Sequence, residues 1–423
     1  MKKLVAAALA ALVTTSVCTS FTGCNSNKND NTTGGSFATL PEQTTVSTDS
    51  TSETVESEST SSSESNGNNT VVDPAMKGFN ILTGEPFINN VEFTRPVAIV
   101  VDNTSLAAST QTGLDQADIL YEALVTTGTT RFVMVSADYT LLDKVSNIRE
   151  GVAYHIDFAA YHNAVLVCHG GLNTAEKSFV TLAADRYGSE HGFVNTSVER
   201  YFCWKEDGEK YGTIEKVDRK DLSNNTVFKP NAMTALLTSS SSKFIAQGNG
   251  TLMGAPKNGG LSFVEYGTKK DLSGASSATE IKLNFKAQGA LDMNKIVEYT
   301  YDAAKGKYMR SQANINKVIA PHVDSQTGEQ LGFTNVITLF TNVEAIETGN
   351  QYTPTIAGFN SVTGNGLGYY FTDGKVITIS WETTENGLKL TEEDTGADLL
   401  LNTGNTCISF LDQSYLKGGQ FWQ

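Results

Sequence analysis

Apolar and polar positions divide the chain into three stretches of different character. The first apolar run, Leu4 to Val13, follows Met1-Lys2-Lys3. It is too short to cross a bilayer, which takes about 20 residues, and a short run behind a basic flank reads as a signal peptide over residues 1–23. Residues 24–72 show no apolar period. Beyond them the pattern becomes regular. Val97-Ala98-Ile99-Val100-Val101, between Pro96 and Asp102-Asn103, predicts a short buried strand. Residues 118–125 and 130–136 predict two more, joined by a turn through Gly128. Asn147 with Glu150 three residues on predicts a capping-box helix start, running to about Tyr161 with Val152, Ile156 and Ala159 on one face. Residues 164–168 predict a further buried strand. Asn173 with Glu176 predicts a second helix ending at Gly188, and Pro230 opens a third over 230–242. Strands and helices interleave, so residues 73–250 are expected to form an α/β domain.

From about residue 260 the period becomes two. Short alternating runs fall at 261–266, 279–286, 295–302, 334–341, 367–372, 375–381 and 405–411. Asp373-Gly374 between two of them is a hairpin signal, and Lys305-Gly306 a weaker one. Residues 251–423 are therefore expected to be a β-rich domain, and the fold class α+β overall.

Composition adds a tether. Residues 25–72 carry one lysine against seven acids and are more than half Ser, Thr and Asn. Such a stretch buries too little apolar surface to offset its ordering entropy, so 24–72 is expected to be a disordered acidic linker. Just before it stands Ser20-Phe21-Thr22-Gly23-Cys24. Small residues ahead of a cysteine resemble a bacterial lipobox, which makes Cys24 the expected lipidation site rather than an incidental cysteine in a secreted chain. Cys18 competes poorly, because bulky Val17 precedes it. The expected location is the outer face of the bacterial cytoplasmic membrane, with the lipid as the membrane contact.

Charge narrows the partners. The whole chain carries −15; the signal accounts for +2 and the linker for −6, leaving −11 on the body. An acidic body without a basic run argues against nucleic acid. Cys168, Cys203 and Cys407 allow one disulfide at most, and no Cys/His spacing of a metal site is present. No metal and no cofactor is expected. Nor does any Walker or dinucleotide-binding glycine pattern appear.

The candidate site residues stand at predicted strand ends and helix starts. Ligands gather at such strand ends in open α/β sheets, so Asp102, Asn103, Arg149 and His169 are expected to face one crevice if their strands are parallel neighbours. Arg149 falls in the first turn of a predicted helix, where a cation is unfavourable. Either a ligand anion sits there, or an internal acid such as Glu122 or Asp118 pairs with it. His169 is a ligand or acid–base candidate, or else a capped loop histidine. Adjacent strand residues point to opposite faces, so Cys168 and His169 do not form a nucleophile–base pair. Glu122 and Arg131, on neighbouring strands, are expected to form a buried ion pair, or Glu122 acts as a general acid. The aromatics Tyr299, Tyr301, Tyr308, Tyr369, Tyr370 and Trp381 either pack a sheet or stack on sugars.

Arg95-Pro96-Val97-Ala98-Ile99-Val100-Val101-Asp102-Asn103, Gln111-Thr112-Gly113-Leu114, Ala117-Asp118-Ile119-Leu120-Tyr121-Glu122, Gly128-Thr129-Thr130-Arg131-Phe132, Ile148-Arg149, His169-Gly170-Gly171 and His191 with Thr196-Ser197 form an ordered series. It resembles the YerB-like lipoprotein family (DUF3048). The series continues with Val297-Glu298-Tyr299-Thr300-Tyr301-Asp302, Tyr308-Met309-Arg310-Ser311, His322-Val323-Asp324, Asn335-Val336, Gly368-Tyr369-Tyr370-Phe371, and Asp373-Gly374-Lys375 with Trp381. These resemble the family's C-terminal domain. Val152 stands where the family carries a second arginine. The resemblance implies a lipoprotein with an α/β domain followed by a β-rich one, and it supplies no reaction. The expected function is binding of a cell-wall glycan, muropeptide or other anionic ligand through Asp102, Asn103, Arg131, Arg149, His169 and His191. The rivals are a wall-acting enzyme using His169 or Glu122, and a scaffold that docks another envelope protein.

Overall fold

The buried strands of both halves of the sequence line up in one mixed sheet. In the computed structural model, the residues described are 78–88, 96–185 apart from 127, 180 and 184, 202–203, 214–216, 226–230, 256–286, 295–347 apart from 315, 355–358 and 364–423. The strands of the large sheet are β1 (Val97–Asn103), β2 (Ile119–Thr126), β3 (Thr129–Ser136), β4 (Val165–Val167), β5 (Phe202–Cys203) and β6 (Ser276–Ser277). A second, five-stranded sheet comprises β7 (Glu280–Phe285), β8 (Lys295–Asp302), β9 (Lys307–Ala313), β10 (Ile319–Pro321) and β11 (Gly332–Phe333). The large sheet is completed by β12 (Asn335–Thr341), β13 (Asn365–Thr372), β14 (Lys375–Thr384), β15 (Gly387–Glu392) and β16 (Thr406–Asp412).

The order across the large sheet is β6-β14-β13-β12-β16-β2-β3-β1-β4-β5, with β15 on the far side of β14. The last strand in sequence, β16, lies between the halves. It pairs in parallel with β12 through Val336↔Cys407 and with β2 through Leu120↔Cys407. The change of pattern near residue 250 is thus a change of connectivity, and the sheet runs across it. The fold is α+β and rich in strand. The boundary stretch, the helix expected over 230–242 and His191 lie outside the described residues.

Both faces of the sheet are covered, which explains the continuous apolar runs. One face carries Ala98, Val100, Tyr121, Ala123, Val133, Ile337 and Ile408, and the helix α1 (Ala153–Tyr161) packs there through Ile156 and Phe158. The opposite face carries Val97, Val101, Leu120, Phe132, Val336 and Cys407. The five-stranded sheet covers it with Ile281, Leu283, Val297, Tyr299 and Tyr308. Tyr299, Tyr308, Tyr370 and Trp381 are buried, so these aromatics pack the sheets. Cys168 and Cys407 sit in the cores of opposite faces.

The helix expected from Asn147 begins at Ala153. Residues 147–151 spend their backbone elsewhere. Asp102 N donates to Asn147 O (2.8 Å) and Arg149 N to Val100 O (3.0 Å), so this segment runs along β1. Gly151 N then donates to Gly170 O (2.9 Å), tying it to the loop after β4. The side chain that caps the helix is His155, whose Nδ1 accepts from Val152 N (3.1 Å). The helix expected at Asn173 also begins later: helical residues start at 179, and Asn173 Oδ1 accepts from Phe179 N (2.9 Å).

Candidate functional site

Strand alternation and register decide which candidate residues meet. β1 pairs in parallel with β4 (Val97↔Val165), so the ends of these strands are neighbours. Asp102 stands opposite Arg131, on the face that carries α1. Arg149 Nε lies 3.7 Å from Asp102 Oδ2 and 3.4 Å from Glu150 Oε2. Arg131 donates to the Glu150 carbonyl and, at 3.2 Å, to its carboxylate. His169 N donates to Arg149 O (2.9 Å), which places this half-buried residue beside the cluster. Two guanidinium groups and two carboxylates thus share the strand end. Arg149 is the more accessible guanidinium, its side chain 25% exposed against 9% for Arg131. Its buried Nε makes no hydrogen bond.

Two expectations are corrected here. Arg149 precedes α1 by a full turn, so the helix dipole does not act on it as supposed. Its internal partners are Asp102 and Glu150, not Glu122 or Asp118. The Glu122–Arg131 pair does not form, because Glu122 stands opposite Phe132 while Arg131 stands opposite Ala123. One residue of offset puts the two side chains on opposite faces. By the same rule Asn103 leaves its neighbour Asp102 and joins Glu122.

On that second face, between the two sheets, lies a larger polar network. Glu122 is fully buried and its ion-pair partner is Arg310 of β9, whose Nη2 reaches both carboxylate oxygens at 3.0 and 2.9 Å. Glu122 Oε1 also accepts from Asn103 Nδ2 (2.8 Å) and Thr130 Oγ1 (2.7 Å). The Arg310 guanidinium carbon stands 5.0 Å over the Phe132 ring, a favourable cation–π placement. Arg310 Nη1 donates to Gln312 Oε1 (2.9 Å) and to His322 Nδ1. Since His322 Nδ1 accepts, its proton is on Nε2, which donates to Gln111 Oε1. Burial, and then the charges of Arg310 and Lys295, hold the His322 pKa well below the usual imidazole value, so the ring is neutral. Lys295 is buried and donates to Asn103 O (2.7 Å); burial lowers its pKa to about 7 against the opposing pull of Glu122. Glu122, with every approach occupied, is an anchor for Arg310 and offers no face to a substrate.

Arg310, Gln312, His322, Gln111 and Lys295 were not assigned to a site from the sequence. One signal was available. Tyr308, Arg310 and Gln312 occupy the same parity of an alternating strand, and an arginine at a core-facing position needs a buried partner. Arg310, His322 and Gln111 also fall within the motifs that carry the family resemblance. Among the described residues, no group of three His, Cys, Asp or Glu side chains could hold a metal ion.

Comparison with known proteins gives a consistent result. The family described as the N-terminal domain of a protein of unknown function (DUF3048) matches residues 82–220, and its C-terminal domain matches residues 287–408. The chain is 24% identical over 313 residues to the Bacillus subtilis (strain 168) protein described as "Putative lipoprotein YerB", covering 74% of this chain and 80% of that one. The crystal structure of YerB from Bacillus subtilis superposes with a TM-score of 0.57 at 20% identity, over 79% of this chain and 96% of the other.

Proposed function

The chain belongs to the YerB-like lipoprotein family, and from that premise we propose that it is a lipid-tethered receptor on the outer face of the cytoplasmic membrane, binding an anionic fragment of the cell wall. The binding residues in this reading are Arg149, Arg131, Asp102 and His169 at the ends of β1 and β4, with His191 as a further contributor. The observation that carries it is the Arg149 guanidinium, partly open to solvent at this strand end, whose Nε faces the Glu150 and Asp102 carboxylates without a hydrogen bond to either. A carboxylate or phosphate matches that donor geometry. Cys24 supplies the anchor, and the acidic linker holds the body away from the membrane.

The test uses the full-length protein in detergent, mixed with purified peptidoglycan and pelleted. Co-sedimentation should fall about tenfold in Arg149→Ala, the loss of one charge-assisted contact. Undiminished co-sedimentation in that variant would refute the site, and none in the wild type would refute peptidoglycan as the ligand. Soluble wall fragments released by the wild type and lost in His169→Ala would establish an enzyme in place of a receptor.

A further inference from the structure

The Glu122–Arg310 network ends at a pocket that plays no part in the reading above. The pocket has a volume of about 330 Å³, at the small end of the ~300–1,000 Å³ range of ligand sites. Its walls include Leu106, Ala108, Pro321 and Val323, and its polar end is formed by Gln312 and His322. Leu106 and Val323 are 41% and 38% exposed. Large apolar side chains left in solvent around one concavity are a mark of a binding surface.

The polar end has a definite sense. Gln312 is 3% exposed, and its Oε1 accepts from Arg310 Nη1. That contact sets the amide orientation and leaves the NH2 group as the other end. This buried Nε2 has no hydrogen-bond partner. Arg310 Nε, also buried, has none either. The acceptors of the network are already engaged, Glu122 by Arg310, Asn103 and Thr130, and His322 Nδ1 by Arg310. Of Gln312 and Arg310 only Gln312 lines the pocket, which therefore presents one unmet donor, the Gln312 amide, and apolar side chains along its walls. Buried donors are costly to leave unmade.

We propose that this pocket is a second ligand site, which takes the carboxylate or carbonyl end of a small apolar acyl compound of the N-acyl amino acid class onto the Gln312 amide. A side chain of one to a few carbons packs against Leu106, Pro321 and Val323. The donor character of the Gln312 amide and the Arg310 and Lys295 cations behind it disfavour an amine at the same position.

The experiment is ligand-observed NMR on the full-length protein in detergent micelles, with N-acetylalanine, its methyl ester and propylammonium as probes. N-acetylalanine should bind and propylammonium should not. Binding should weaken about tenfold in Gln312→Met, which keeps the volume and removes the donor. Ser109 lines the mouth and is exposed, so Ser109→Trp narrows the entrance without touching the network. It should abolish binding even if Gln312→Met fails to fold. Retention of the methyl ester assigns recognition to the carbonyl, and its loss assigns it to the charge; both fit the proposal. Arg149→Ala should leave N-acetylalanine binding unchanged, which separates this site from the strand-end one. No binding by the wild type, or binding that neither Gln312→Met nor Ser109→Trp weakens, would overturn the proposal.

Discussion

Glu122 and Arg310 come from opposite halves of the chain and from different sheets, and each is tolerable inside the protein only because of the other. Both side chains are fully buried. Removing one charge leaves the other uncompensated, which typically costs about 3–5 kcal/mol. Arg310→Met should lower the unfolding free energy by that order in urea titrations, and Glu122→Gln combined with Arg310→Met should recover much of it. A single variant as stable as the wild type would refute the assigned role. Titration adds a second prediction at this scale. His155, His162 and His322 are buried, and burial depresses all three pKa values, that of His162 to about 4. A depressed histidine pKa stabilises the fold fully above its unfolded value of about 6.5, and the stabilisation is lost as pH falls toward the folded value. Asp118 acts in the opposite sense. Burial raises its pKa to about 6, so its contribution is present below about 4 and is lost as pH rises through 6. Burial raises the Asp115 and Glu85 pKa values in the same sense as that of Asp118, but the three histidines are fully buried, each with a slope approaching ~1.4 kcal/mol per pH unit, and outweigh them. The Tm should therefore be lower at pH 5 than at pH 7; a higher Tm at pH 5 would contradict the neutral, buried state of these rings.

At the scale of elements, turn chemistry was the most legible feature. Asp373 (φ 47°) and Gly374 (φ 70°) both have positive φ between β13 and β14, as a two-residue hairpin turn of type I′ requires. A Cβ on Gly374 would also stand 2.9 Å from the Tyr301 ring. Gly374→Ala should cost about 1–2 kcal/mol, measurable by urea unfolding, whereas Asp373→Asn keeps the turn preference and should cost far less. The period-two runs after residue 260 became strands, apart from 261–266, of which only Ser262–Phe263 is strand: the alternation is set by the strand itself. The segment 147–152 misled because Asn147-x-x-Glu150 is only a local signal. Its backbone is taken up by β1 and by the loop after β4, and no short-range pattern announces those partners. His155 became the helix cap through its own side chain, which a search for Ser, Thr, Asp or Asn overlooks.

Across the whole molecule, β16 is the decisive element. Residues 406–412 stand between β12 and β2, so β2, paired with β3 on one edge, lacks a neighbour on its other edge until the last strand has been made. A fragment of residues 73–250 should fail to fold, with the edge of β2 unpaired and half of each core missing. Circular dichroism and hydrogen exchange check this directly: a protected, cooperatively unfolding fragment would show that the first half is a domain in its own right.

Strand content follows from the sequence alone, because alternation in steps of two is a short-range period; the expectations of an export signal and a tether rest on equally local features, a basic flank with a short apolar run and a polar acidic stretch. Family membership was legible as well, through ordered motifs. The partners of the polar residues were not. Asp102 and Asn103 are adjacent in sequence and part to opposite faces, while Glu122 and Arg310 are 188 residues apart and share two hydrogen bonds. Which charge meets which is set by register and by the packing of one sheet on the other. Those are long-range outcomes, in which a shift of a single residue exchanges the two faces and rewrites the site.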